Sequence, residues 1–137
     1  LERQLERLCG ALPSGVVLHD GSGLSPGNRI TPGLLVVAMA KADARPFGAA
    51  FRAALPVAGE TGTLADRFTQ SPLRGRVRAK TGWIRGASSL SGCIEADGGR
   101  RWFSILMNYD RDKGGLNKEL KQLQEQMVAA IANLEGA

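Results

Sequence analysis

A single histidine, two cysteines and few aromatic residues deny this 137-residue chain the materials of several common sites. His19 is the only histidine, so a multi-histidine zinc centre built within the chain is excluded, and a histidine-dependent triad nearly so. Cys9 and Cys93 are too few for a disulfide framework and belong to no CxxC pair, so they are expected as packing thiols, with no metal and no cofactor. Aromatics make up 5% of the residues and no recognised nucleic-acid motif occurs, which argues against a nucleic-acid partner. No phosphate-loop pattern GxxxxGK[ST] occurs either. The longest apolar stretches, Leu34 to Ala40 and the neighbourhood of Ile105 to Met107, fall far short of the ~20 residues of a membrane-spanning helix, so no transmembrane segment is expected. The opening Leu-Glu-Arg-Gln-Leu-Glu-Arg has no initiator methionine, basic n-region or apolar h-region, and the expectation is that sequence is missing upstream.

What is present reads as a globular domain, with 43% hydrophobic and 23% charged residues and no low-complexity tract. The net charge of +5 is unevenly placed. Arg74, Arg76, Arg78, Lys80 and Arg85 follow one another with no acid among them. That run is either a solvated strand edge guarded by charge or a surface for anions. The second possibility keeps open a function without catalysis, a basic module that binds an anionic cell-wall polymer or nucleic acid.

The pattern of residues divides the chain, with residues 1–70 mainly helix and loop and 75–137 strands plus a terminal helix. Leu1, Leu5 and Leu8 predict a helix over 2–11, stopped by Gly10 and Pro13. Asp20 to Asn28, rich in Gly, Ser and Asn, predicts an irregular loop pinned by its own side chains rather than a catalytic cluster. His19 reads as a strand-end residue rather than a base. Thr31-Pro32 is a helix opening, cap then first-turn proline, leading to about Ala42. A short helix is expected over 47–54, and a turn or two near Thr63 to Phe68. From Gly75 the period changes to two: Arg76, Arg78 and Lys80 alternate with Val77, Ala79 and Thr81. Ser88 to Glu95 and Arg101 to Tyr109, joined by Ala96-Asp97-Gly98-Gly99, complete an antiparallel meander. The last strand is apolar on both faces and is expected to be central. Leu116, Leu120, Leu123, Met127, Ile131 and Leu134 step by three and four along a terminal helix expected to lie across the sheet, with Leu123 and Met127 in the core. The fold class is α+β, an antiparallel sheet with a C-terminal helix packed on it.

The tripeptide Lys80-Thr81-Gly82, expected to close the first strand, gains weight from its surroundings. A strand leads in, and the small-residue run Gly86-Ala87-Ser88-Ser89-Leu90-Ser91-Gly92 follows. This stretch resembles the Lys-Thr-Gly strand of penicillin-binding D,D-peptidases and its successor. Asp20-Gly21-Ser22-Gly23-Leu24-Ser25 with Asn28 to Pro32, and Leu55 to Gly59 with Gly62-Thr63-Leu64 and Arg67-Phe68, are similar to segments of the D-alanyl-D-alanine carboxypeptidase/endopeptidase class with inserted domains. The likeness spans nearly the whole chain, in the family's order.

The resemblance implies part of the serine β-lactamase/D,D-peptidase transpeptidase fold and an extracytoplasmic, periplasmic setting. It implies a peptidoglycan peptide or a β-lactam as ligand. In that family a Ser-x-x-Lys serine forms an acyl-enzyme and a Ser-x-Asn element assists. Neither pattern occurs in these 137 residues. Both are expected upstream, so the chain alone is expected to be inactive. The implied roles are catalytic for Lys80, an ammonium near the Ser-x-Asn serine, and substrate-binding for three neighbours. Thr81 would offer its hydroxyl to a terminal carboxylate. Gly82 would let substrate backbone lie close, and the N–H of Trp83 would be one of two oxyanion donors. Trp83 departs from the Thr or Ser usual at its position, leaving two readings: an indole that shapes the cleft, or one that packs on the missing portion. The implied partners are that missing N-terminal portion and a homodimer through an exposed apolar seam.

Overall fold

The computed structural model describes residues 1–96 and 98–134. Three helices come first, α1 (Glu2–Cys9), α2 (Pro32–Asp43) and α3 (Gly48–Ala53), then a single 3-10 turn, η1 (Gly62–Leu64). Strands β1 (Val77–Ile84), β2 (Ala87–Ala96) and β3 (Gly99–Asn108) follow, and α4 (Asn117–Ala132) ends the fold. α2 starts as its sequence dictates: the Thr31 hydroxyl accepts the Leu34 N–H at 3.2 Å, and Pro32 takes the first turn, where a missing N–H costs nothing.

The strands form an antiparallel meander in the order β1-β2-β3. Thr81 pairs with Leu90, and Leu90 with Ile105. Alternation therefore gives one face to Val77, Ala79, Thr81, Trp83, Ser88, Leu90, Ile94, Phe103 and Ile105, and the other to Arg78, Lys80, Gly82, Ser89, Ser91, Cys93 and Trp102. The first face carries the core. Leu64, Phe68 and Leu73 from the loop before β1, and Val128 from α4, close over Val77, Ala79, Leu90, Ile94, Phe103 and Ile105. α2 covers the second face along β3, and the rings of Phe51 and Trp102 stack there at 6.1 Å. Asp43 at the end of α2 pairs with Arg52 of α3 and with Arg100 of β3.

Three expectations need correction. The tripeptide 80–82 lies in the middle of β1 rather than at its end, because the pairing with β2 continues through Ile84↔Ala87. β3 is packed on both faces, but β2 is the central strand; the far edge of β3 has no strand partner among the described residues. On α4, Gln124 and Val128 are fully buried, whereas Leu123 and Met127 are exposed. Polar partners set that rotation. The Gln124 amide donates to the Ser88 hydroxyl at 2.9 Å, and Glu125 accepts from Arg67 Nε at 2.9 Å and from the Phe68 N–H at 3.3 Å. A buried amide with its partner in place costs little, so leucine periodicity does not decide which face turns inward.

Cys93 is buried at the β1–β2 seam, and burial, with Glu95 nearby, pushes its thiol up to about 11. It is a packing thiol, as expected. The Asp20 loop likewise follows its sequence. The Asp20 carboxylate accepts from Ser22 Oγ, from the N–H groups of Gly23 and Ser25 and from Asn28 Nδ2, while Asn28 Oδ1 accepts from the His19 N–H. The Asn28 hydrogen bond is the main reason that the carboxyl falls to about 2, with Ser22, Ser25 and Gly23 adding to it.

Candidate active site

The segment before β1 determines what β1 has left to offer. Pro56 to Ala58 runs along the outer edge of the strand: the Ala79 N–H donates to the Pro56 carbonyl at 3.0 Å, and the Ala58 N–H to the Val77 carbonyl at 2.9 Å. Residues 77 and 79 thus turn their backbone groups outward, and antiparallel alternation sends those of Thr81 and Trp83 to the same edge. The 56–58 segment reaches no further than Ala79. Beyond it the edge has no strand partner among the described residues, and its N–H and C=O groups are aligned for an added strand.

Lys80, Thr81, Gly82 and Trp83 all sit on this open stretch. Lys80 is exposed on the α2-side face, and its ammonium donates to the Thr81 carbonyl at 2.6 Å. Thr81 lies on the α4-side face, where its hydroxyl donates to the Thr63 hydroxyl at 3.0 Å. A Cβ on Gly82 would meet Ser89 Oγ on β2, a contact that rotation of the serine hydroxyl relieves, and the next atom is at ordinary van der Waals distance, 3.7 Å. Trp83 is 45% exposed and stacks on Tyr109 at 5.5 Å, a partner well removed in sequence. Its indole is thus held by this chain rather than left loose.

A cleft of about 980 Å³ opens on the α2-side face at Gly82, with neither Lys80 nor Thr81 in its lining. Gly82, Ile84, Ser89, Leu106 and Asn108 form its sheet wall. Leu1, Leu5, Leu8 and the pinned Asp20–Asn28 loop form the opposite wall. Asp20 and Asn28 line the space, yet the carboxylate and the side-chain carbonyl spend themselves on loop backbone and on each other. His19 is exposed and packs against Gly27. The basic run is partly occupied as well: Arg76 donates to the Glu95 carbonyl, and Arg85 pairs with Asp112 at 3.2 Å.

Three residues without a role assigned from sequence come to this region in the structure. Thr63 touches Thr81, Tyr109 carries Trp83, and Glu125 holds the 67–68 turn beneath η1. All three contacts cross between elements, so no local pattern announces them. Thr63 alone had a trace, in the Gly62-Thr63-Leu64 segment.

The chain is similar to known proteins. The family model described as D-Ala-D-Ala carboxypeptidase 3 (S13) matches residues 2–134. The chain is 42% identical over 104 residues to the D-alanyl-D-alanine carboxypeptidase of Actinomadura sp. strain R39, covering 72% of this chain and 19% of that protein. It is 38% identical over 120 residues to penicillin-sensitive carboxypeptidase A of Dictyostelium discoideum, covering 82% and 22%. The chain thus spans about a fifth of the length of these curated relatives. Among solved structures, penicillin binding protein 4 of Haemophilus influenzae superposes with a TM-score of 0.74 at 25% identity, over 87% of this chain and 28% of that one. A penicillin G-acylated predatory endopeptidase of Bdellovibrio bacteriovorus superposes with a TM-score of 0.79 over 98% and 38%; at 22% identity it speaks for the fold alone. With the family model matched from end to end of the described fold, and the Lys-Thr-Gly strand at its open edge, the chain belongs to the D-Ala-D-Ala carboxypeptidase 3 (S13) family.

Proposed function

We propose that this chain is the C-terminal segment of a serine-type D-alanyl-D-alanine carboxypeptidase that acts outside the cytoplasm on peptidoglycan stem peptides and is acylated by β-lactams. The observation that carries the reading is the open outer edge of β1 beyond Ala79, with Lys80-Thr81-Gly82 on it. A peptide ending in D-Ala-D-Ala would add to that edge as a further strand, its backbone paired with Thr81 and Trp83. Thr81 then offers a hydroxyl to the terminal carboxylate. Lys80, released from the Thr81 carbonyl, brings a positive charge to the serine of Ser-x-Asn. The Trp83 N–H points at the developing oxyanion as one donor of a pair. A lost donor of this kind costs ~2.7–4 kcal/mol of transition-state stabilisation in a complete site.

The nucleophile in this reading comes from sequence outside these 137 residues, because no serine here has lysine three positions on. Its Oγ would form an ester with the penultimate D-Ala carbonyl, the amide C–N bond would break, and the terminal D-Ala would leave with a proton. Water would then hydrolyse the ester. Fluorescent penicillin tests the assignment. The 137-residue chain alone is expected to stay unlabelled, and the complete polypeptide to acquire label that unlabelled penicillin competes away. Covalent labelling of the isolated chain would refute the proposed origin of the nucleophile.

A further inference from the structure

The hydroxyls of Thr63 and Thr81 stand 3.0 Å apart at the accessible edge of β1, one from the 3-10 turn and one from the strand. Thr63 is exposed and Thr81 half-buried. Neither hydroxyl is needed to satisfy a buried group. As they stand, Thr81 donates to Thr63, which leaves the Thr63 proton and the Thr81 lone pairs facing outward. Hydroxyl protons rotate freely, so an arriving carboxylate could draw both, one to each oxygen. Ionised acceptors make the stronger hydrogen bonds. The next residue on the same face of β1 is Trp83, whose ring stacks on Tyr109 and offers no hydroxyl. Thr81 is thus the only hydroxyl that β1 itself presents, and the one beside it is that of Thr63.

Thr63 is held for that task by its neighbours rather than by its own side chain. Leu64 beside it is fully buried, its N–H donates to the Thr61 carbonyl at 3.2 Å, and its carbonyl accepts from the Gly59 N–H at 2.9 Å. Gly62 takes φ +55 with Pro56 packed against it, a backbone shape that favours glycine. Three residues beyond, Arg67 and the Phe68 N–H are anchored on Glu125. The turn is fixed from both sides, so the hydroxyl is preorganised.

We propose that Thr63 and Thr81 form a two-hydroxyl clamp for the terminal carboxylate of the peptide or β-lactam, with Thr63 a substrate-binding residue in its own right. This rests on the function proposed above. The test compares acylation of the complete polypeptide by benzylpenicillin and by its methyl ester, which lacks the carboxylate charge. Thr63→Val is expected to lower the acid-to-ester rate ratio about tenfold or more, the scale of a lost hydrogen bond to a charged group. Thr63→Ser, which keeps the hydroxyl, is expected to restore it and so separates binding from a folding defect. A ratio unchanged in Thr63→Val but collapsed in Thr81→Val overturns the clamp and leaves the function standing. Failure of the unsubstituted polypeptide to be acylated by either compound overturns both.

Discussion

Asp20 shows how one side chain holds a loop that sits against the cleft. Its carboxylate gathers two backbone N–H groups, the Ser22 hydroxyl and the Asn28 amide, and each favours the charged form. The carboxyl consequently titrates near 2 instead of its ordinary 3.8. A depressed carboxyl stabilises the folded loop fully above the ordinary value, and that contribution disappears as pH falls through the folded value. The loop is therefore expected to keep its order down to about pH 4 and to loosen between there and pH 2. Amide chemical shifts of Gly23 and Ser25 followed through an acid titration would report it, with Asp20→Asn removing the transition. A midpoint near 4 would show that the four donors do not act on the carboxylate in solution.

At the scale of elements, α4 is seated by polar contacts and its leucine pattern misleads. Glu125 is the keystone, since it accepts from the nearly buried Arg67 and from Phe68, which is held at φ +61, a conformation unusual for a residue with a side chain. Glu125→Ala leaves a guanidinium and a backbone N–H short of a partner. It is expected to cost about 2–3 kcal/mol of unfolding free energy, read from the shift of the urea denaturation midpoint. Leu123→Ala, one helical turn's face away and 46% exposed, is expected to stay within about 0.5 kcal/mol. The reverse ranking would mean that α4 turns its leucines inward in solution. Small residues matter in the same way across the β1–β2 ladder. A side chain on Gly92 would run into the Arg78 carbonyl, so β2 can lie against β1 only because the sequence is small there.

For the molecule as a whole, the two sides of the sheet are unequally finished. The α4 side holds a closed core. On the other side α2 is apolar around its whole circumference from Pro32 to Ala40, yet within it only Leu34 is buried and Val37 is 40% exposed. A helix apolar on every side belongs in an interior. Leu123, Met127 and Leu134 add exposed apolar surface on α4, and the far edge of β3 lacks a strand partner among the described residues. We predict that the 137-residue chain alone sediments as a dimer and binds an apolar dye, and, on the function proposed above, that the N-terminal portion placed upstream displaces both dye and second copy. A compact monomer that takes up no dye would contradict this.

The sequence by itself determined the elements and the family. Period-two alternation from Val77, the Thr31-Pro32 cap, the Asp20 loop and the Lys80-Thr81-Gly82 run are all local in the chain, and local chemistry is what adjacent residues can express. Only the tertiary structure decided how far β1 continues past the tripeptide, which face of α4 turns inward, and which hydroxyl stands beside Thr81. Those outcomes rest on contacts such as Gln124 with Ser88 and Thr63 with Thr81, between residues 36 and 18 positions apart. A hydrogen bond across that separation leaves no periodic trace, because its partners are brought together by the packing of other residues.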